Sequence, residues 1–278
     1  MPASSDPKAP ESPVVIVTGG ARGLGRAMTL ALVRSGARVA MADLPASAAE
    51  ARGLIDEVTK EGHRDRLLCV ECDITSWQDC SNAVKAATDK FGAVHGLVNN
   101  AGMGMQDIGH VLVGQRKRFF EVDPETWRRA IDTNFNGAFL MSKAVAPNLV
   151  DQGWGRIVNV VTSFFTMLME GFSPYGPSKA ALESATVIWS KDLAGTGVTV
   201  NALLPGGPAN TRMIPQGEVS DRSTLIQPEV MMAPIVWLMS AKSNGVTGRR
   251  LVAKDWDAER LKREPLDKIG SPAGWSGA

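Results

Sequence analysis

Short apolar, β-branched runs alternate with stretches of helical period from one end of the chain to the other, a pattern that predicts right-handed βαβ units and a parallel sheet. Seven strands are expected, at residues 13–18, 38–43, 66–73, 95–99, 156–162, 198–204 and 249–252. The helical stretches between them are punctuated accordingly. Gly36, Gly62, Gly92 and Gly153 fall where C-terminal caps belong, and Asp123-Pro124 supplies an N-cap followed by proline at the first helical position. The expected fold class is α/β: a three-layer, doubly wound sheet of about seven parallel strands in a single domain over residues 14–252. Residues 1–13, with prolines at 2, 7, 10 and 13, read as a flexible tail, and residues 253–278 as a charged C-terminal extension that contains Trp256 and Trp275. Residues 103–122 form a long connection.

Composition narrows the function classes. Against 30 basic side chains stand 29 acidic ones, a net charge of +1, which argues against a nucleic-acid binder that neutralises phosphates. With 44% apolar residues among 278, the chain can bury a full core. Its most apolar runs, near residues 157–169 and 230–241, contain polar residues or proline and fall short of the roughly 20 apolar residues a spanning helix needs, so no membrane partner is expected. No targeting signal is visible. Cys69, Cys72 and Cys80 suit neither a disulfide framework nor a four-ligand zinc site, so no metal is expected, and the setting reads as reducing and cytoplasmic.

The first strand runs directly into Thr18-Gly19-Gly20-Ala21-Arg22-Gly23-Leu24-Gly25 and then a helix. Glycine lets the backbone approach a pyrophosphate closely, and the helix N-terminus offers free N–H groups to the anion, so the segment reads as a nucleotide site, with a tight structural turn as the plain alternative. Eighteen residues past Gly25 the second strand ends at Asp43, whose carboxylate suits the adenosine ribose hydroxyls and repels a 2′-phosphate. That favours NAD over NADP. Arg22 pulls the other way, because a guanidinium could pair with that phosphate; Asp43 carries more weight, since a carboxylate facing a phosphate is the costlier arrangement.

Tyr175 is the only tyrosine, and Lys179 follows four residues later, on the same face of a helix. A cation about 4 Å from a phenol is worth roughly 4 kcal/mol at an effective dielectric near 20, or about three pKa units. The spacing therefore predicts a tyrosine that acts as a base near neutral pH, unless the pair is a plain exposed i,i+4 contact.

With the glycine turn, Asn99-Asn100-Ala101-Gly102 at the end of the fourth strand, and Tyr175-Gly176-Pro177-Ser178-Lys179, the chain resembles the short-chain dehydrogenase/reductase family over about residues 14–252. The resemblance implies a Rossmann-like fold and hydride transfer between a nicotinamide and a carbinol or carbonyl carbon. It gives Tyr175 the proton-exchanging role and sets Lys179 on the nicotinamide ribose. Asn134 matches a helix asparagine that holds a water linked to the lysine. The family's hydroxyl donor to the substrate oxygen falls on Thr162 by its usual register or on the adjacent Ser163; only one of the two can face the nicotinamide, and the preference goes to Ser163, because serine is the usual residue. Asp73, with Ile74 beside it, matches the residue that bonds the adenine amino nitrogen, and Asn100, Ala101 and Gly102 would pack against the adenosine. A helix-capping aspartate and a strand-end turn are the plain alternatives for these positions. Pro205 and Gly206 open a nicotinamide-binding segment carrying one extra residue, so that Ala209 supplies the backbone N–H and Thr211 the hydroxyl.

Residues 164–172, rich in Phe and Met, border the substrate cleft in such a fold and imply a bulky apolar or aromatic alcohol or ketone, although core or subunit contacts explain them equally. Arg116-Lys117-Arg118 could meet a substrate carboxylate, a solvated charged face being the plainer account. The long connection, the region after Thr211 and the C-terminal extension are expected to form a lid. The resemblance further suggests a homo-oligomer, tetramer or dimer, formed through the helices that contain Asn134 and Tyr175. Three functions stay open: an NAD-dependent secondary-alcohol dehydrogenase, an NADPH-dependent ketoreductase of the 3-oxoacyl type, and a dinucleotide-sensing regulator without turnover. A serine hydrolase is disfavoured by the lack of a Gly-x-Ser-x-Gly elbow.

Overall fold

The computed structural model describes residues 9–109, 117–214 and 217–275. Residues 1–8 of the expected N-terminal tail and Arg116 of the basic run lie outside the described residues. The described chain forms one α/β body around an eight-stranded sheet in the order β3-β2-β1-β4-β5-β6-β7-β8. The strands are β1 (Val14–Thr18), β2 (Arg38–Asp43), β3 (Leu67–Glu71), β4 (Gly96–Asn99), β5 (Gly155–Val160), β6 (Val198–Leu204), β7 (Arg249–Val252) and β8 (Ser271–Pro272). The first seven pair in parallel, and β8 runs antiparallel to β7. Strand order reverses between β1 and β4, the switch point where an open α/β sheet leaves a crevice beyond its strand ends.

The two layers of helices follow from alternation along buried strands. Val15 and Val17 point to one face, where they join Met28 of α1 (Gly23–Arg34), Leu54 of α2 (Ala48–Lys60) and, further across the sheet, Ile235 of the later helix α8 (Met232–Leu238). Ile16 points to the other, towards Cys80 and Val84 of α3 (Trp77–Phe91) and Met141 and Val145 of α5 (Gly137–Asp151). On that second face α7 (Tyr175–Asp192) buries Leu182 against Ala202 and Leu204 of β6. The helix ends obey their caps. Asp123 accepts from the Thr126 N–H at 2.8 Å to open α4 (Pro124–Ile131), which holds its carboxyl below the ordinary value, and Gly92 closes α3 at a φ of +88°. Between α4 and α5 the helix widens into a π turn, Asp132–Asn136.

Beyond shifts of one or two residues at other strand ends, two features of the sheet differ from the sequence reading. Ladder pairing on β5 stops at Val160, so Thr162 lies beyond the sheet rather than inside a strand. The eighth strand comes from the C-terminal extension. Two residues carry no period to read, and Pro272, lacking an N–H, is tolerated because the strand lies at the sheet edge. The extension also buries Ile269 and sets Trp256 against Trp237, their ring centres 5.5 Å apart, so it belongs to the body of the domain and is not part of a lid.

Candidate active site

A cleft of about 1430 Å³ opens over the carboxyl ends of the strands. At one end it is made mainly of backbone. Gly19 and Gly23 adopt φ of +61° and +54°, and a Cβ on Gly25 would sit 2.0 Å from the Gly19 carbonyl oxygen, so this turn admits only glycine at its tightest point. Asn100 braces it from below, donating its side-chain amide to the Thr18 and Gly19 carbonyls at 2.9 and 3.0 Å. Among the described residues no side chain caps α1, and its first turn holds no acidic residue, which leaves its N–H groups and positive dipole end facing the cleft. A dinucleotide pyrophosphate fits that unmet demand.

Asp43 ends β2 at the same crevice and is held from three sides. Its Oδ2 accepts the Ala21 N–H, and its Oδ1 accepts the Leu44 N–H and the Ser47 hydroxyl, each at 2.9 Å. A carboxylate has about four acceptor sites, so capacity remains for a ribose hydroxyl. Arg22 and Leu24 line the wall beside it. Asp73 uses Oδ1 on the Thr75 N–H and hydroxyl, at 2.9 and 2.7 Å, while Ser76 caps α3. Asp73 and Ile74 both face the cleft. Ala101 also lines the cleft, and its Cα lies 2.9 Å from where a Gly19 Cβ would be. Gly102 lies elsewhere than expected: a Cβ there would be 3.0 Å from Asn134 Oδ1 and 3.6 Å from Lys179 Nζ, which puts it at the other end of the cleft, not against an adenosine.

That other end is made of side chains. Tyr175 opens α7, and Lys179 one turn later is buried and donates to the Val160 carbonyl at 2.9 Å. Asn134, in the π turn, is fully enclosed: both hydrogens of its amide are spent, on the Met103 carbonyl and Ser178 Oγ at 3.0 Å each, and its Oδ1 accepts the Met103 N–H at 2.7 Å. Asn134 and Gly25 stand behind the cleft wall rather than in it. Ser178, not singled out from the sequence, ties Asn134 to the first turn of α7 by donating to the Tyr175 carbonyl at 2.7 Å; its place inside the Tyr175–Lys179 motif was the available signal.

The two hydroxyls have different surroundings. Ser163 lines the cleft, but its Oγ is the N-cap of α6 (Phe164–Met167), accepting the Thr166 N–H at 3.0 Å and meeting Thr166 Oγ1 at 2.8 Å. Thr162 is the hydroxyl that acts on the Tyr175 phenol, drawing its ionisation down against the upward push of burial. The sequence preference for Ser163 assumes a connection one residue shorter; β5 ends early, α6 begins at once, and its cap takes the serine.

Burial corrects the electrostatic expectation too. Loss of water pushes the Tyr175 phenol above its ordinary value, with the Thr162 hydroxyl pulling it part of the way back, and the same loss drops Lys179 to about 8. Burial of the phenol therefore works against the near-neutral base expected from its spacing to Lys179.

Past β6, Pro205 and Gly206 lead the loop into the cleft, Gly206 with a φ of +103°. Pro208 and Asn210 pair with Ile226, through the Ile226 N–H at 3.0 Å and the Asn210 N–H at 2.8 Å. That pairing turns the Ala209 N–H away from Ile226, where it has no partner among the described residues. Thr211 reaches across to the glycine turn, its methyl 3.2 Å from a Cβ placed on Gly23. Met105 and Phe172 are buried in one cluster against which Met103, Met169 and Tyr175 pack, and this cluster lines the cleft beside the phenol. Of the aromatic run, Phe165 reaches the cleft, whereas Met167 is core and Phe164 turns inward. Arg118 pairs with Glu121 and stacks on Phe120, so it belongs to the surface.

Comparison with known proteins agrees with this arrangement. A family model described as short chain dehydrogenase matches residues 13–218. The chain is 32% identical over 193 residues to a 3-oxoacyl-[acyl-carrier-protein] reductase of Synechocystis sp., covering 69% of this chain and 73% of that protein. It is 33% identical over 216 residues to an NADPH-dependent aldehyde reductase-like chloroplastic protein of Arabidopsis thaliana, covering 75% and 76%. Among solved structures, a 3-ketoacyl-(acyl-carrier-protein) reductase from Brucella melitensis complexed with NADH superposes with a TM-score of 0.75 at 26% identity, covering 87% of this chain and 96% of the other.

Proposed function

The chain belongs to the short-chain dehydrogenase family, whose members are oxidoreductases that bind a nicotinamide dinucleotide, and from that premise we propose that it is an NAD-dependent enzyme interconverting a secondary alcohol and a ketone. The observation that carries the reading is the meeting of Thr162, Tyr175 and Lys179 at one end of a cleft whose other end is closed by Asp43. The uncapped start of α1, Asp43 and the Ala209 N–H would hold the dinucleotide, and its nicotinamide supplies the hydride donor or acceptor. Tyr175 exchanges the hydroxyl proton of the substrate, while Thr162 donates its one hydroxyl hydrogen to the substrate oxygen. Lys179 has spent one of its three donors on Val160 and keeps the others for a ribose hydroxyl and the phenolate. Asn134, both hydrogens of its side-chain amide committed, holds Met103 and α7 in register.

Met103, Met105, Met169 and Phe172 around Tyr175 favour a bulky apolar or aromatic substrate over a sugar. No helix among the described residues is long and apolar enough to cross a membrane. The free thiols Cys69, Cys72 and Cys80 suit the reducing cytoplasm. Phe139 on α5 and Ile188 on α7 are 44% and 54% exposed, which supports a homo-oligomer through these helices.

A second reading, an NADPH-dependent ketoreductase, draws on Arg22 in the cleft wall and on the names of the two relatives. Fluorescence titration with NADH and NADPH separates them, followed by turnover of 1-phenylethanol, cyclohexanol and acetoacetyl-CoA. Tighter NADH supports the first reading. Tighter NADPH transfers the assignment to the second, and dinucleotide binding with no turnover on a broad alcohol and ketone panel would leave the non-catalytic sensor.

A further inference from the structure

Tyr175, Lys179 and Glu183 follow at four-residue intervals and so share one face of α7. Two of them belong to the proposed chemistry. The third, Glu183, has no exposed surface, and its Oε2 pairs with Arg250 Nη1 at 2.5 Å. Arg250, on β7 and 5% exposed, spends its other terminal nitrogen on the Thr162 carbonyl, also at 2.5 Å, and lays its guanidinium 4.0 Å from the Phe164 ring centre. The C-terminal extension completes the group. Glu183 Oε1 accepts the Gly274 N–H at 3.0 Å, and Trp275 packs against Phe164, ring centres 5.7 Å apart.

A buried ion pair is a poor source of stability, since desolvating both charges consumes most or all of their attraction. The position of this one suggests another use. Thr162 lies two residues past the end of β5, where no ladder partner holds its carbonyl, so the backbone that carries the Thr162 hydroxyl is fixed from outside the ladder. Arg250 is the group that fixes it, and its planar fork reaches the carboxylate and the carbonyl together, which a lysine cannot do.

We propose that Arg250 and Glu183 are positioning residues for the Thr162 hydroxyl, and that the C-terminal segment at Gly274 and Trp275 acts on the active site by enclosing them. The proposal rests on the reading of Thr162 as the hydroxyl that serves the reaction. It makes the extension a distant determinant of turnover without any contact with substrate.

Because Tyr175 is the only tyrosine, ultraviolet difference titration of the full chain reads its phenol directly. Arg250→Lys keeps a cation for Glu183 and releases the carbonyl; it is expected to shift the phenol titration upward, to lower kcat with 1-phenylethanol and NAD by between about 10-fold and 10²-fold, and to leave NADH affinity within about twofold. Trp275→Ala, a change at a partly exposed side chain, should act in the same direction and less, so the test survives a failure of Arg250→Lys to fold. In a Thr162→Val background neither change should have any further effect on kcat or on the titration. The proposal is overturned if Arg250→Lys and Trp275→Ala leave the titration and kcat unmoved, or if they act additively with Thr162→Val, whatever happens to thermal stability. If Thr162→Val itself is fully active, the reading of the site fails and the proposal with it; an inactive Thr162→Val beside a fully active Arg250→Lys sinks the proposal alone.

Discussion

The two ends of the cleft are built from different materials. The end at α1 is backbone: glycines without side chains, a helix N-terminus without a cap, and one carboxylate fixed by Ala21, Leu44 and Ser47. The end at α7 is side chain: a phenol, an ammonium and a hydroxyl, the first two displaced from their ordinary ionisation by loss of water. The first recognises a fixed shape and charge. The second depends on single functional groups and on their protons. Binding and turnover should therefore come apart under mutation, and each substitution below tests that separation.

The largest effect is expected at Lys179. Lys179→Met removes the ammonium that steadies the phenolate, so kcat for alcohol oxidation should fall by about 10²-fold to 10⁴-fold, and the rise of rate with pH should move to more alkaline values. The same variant has a stability signature. In the folded protein Lys179 titrates at about 8, below its ordinary 10.5, so its charged form is penalised by folding. The penalty is fully present below pH 8 and is relieved as pH rises from there towards 10.5, because the unfolded chain then binds more protons. Relative to Lys179→Met, the natural chain should gain about 3 kcal/mol across that window in denaturant titrations. A flat difference would show that burial does not penalise this charge.

Next comes the choice of hydroxyl. Thr162→Val should lower kcat by roughly 10-fold to 150-fold, the worth of a hydrogen bond to a charged group, with dinucleotide affinity unchanged. Ser163→Ala should stay within a few-fold and lose only the cap of α6, about 1 kcal/mol in a thermal melt. The reverse ranking in steady-state kinetics would restore Ser163. The smallest effect belongs to the other end. Asp43→Asn should keep kcat with NAD and reduce the preference for NADH over NADPH by about 10-fold, as expected for one charge facing a phosphate near the surface. A fall in kcat with unchanged preference would break the division between the two ends.

What could be read in advance divides along the same line. The glycine turn, Asp43 at a strand end and the four-residue step from Tyr175 to Lys179 are local patterns, and local geometry expresses them. The Thr162 and Ser163 choice depends on where β5 stops pairing with β6 and on which hydroxyl α6 takes as its cap, neither of which has a local signal. Gly102 illustrates the same limit: its neighbours are Asn134 and Lys179, brought in from distant helices. Arg250 and Glu183 were invisible for that reason, being 67 residues apart on different elements. The ionisation of Tyr175 was misjudged because spacing gives the distance to a cation but not the water lost by both partners.

Every step of the account passes through the Tyr175 phenol, and replacing it by phenylalanine removes one oxygen and little else. The decisive measurement is the single-turnover rate of Tyr175→Phe with saturating dinucleotide, alongside its NADH affinity. The account predicts a rate lowered by at least about 10²-fold with affinity unchanged. A rate equal to that of the natural chain would contradict it.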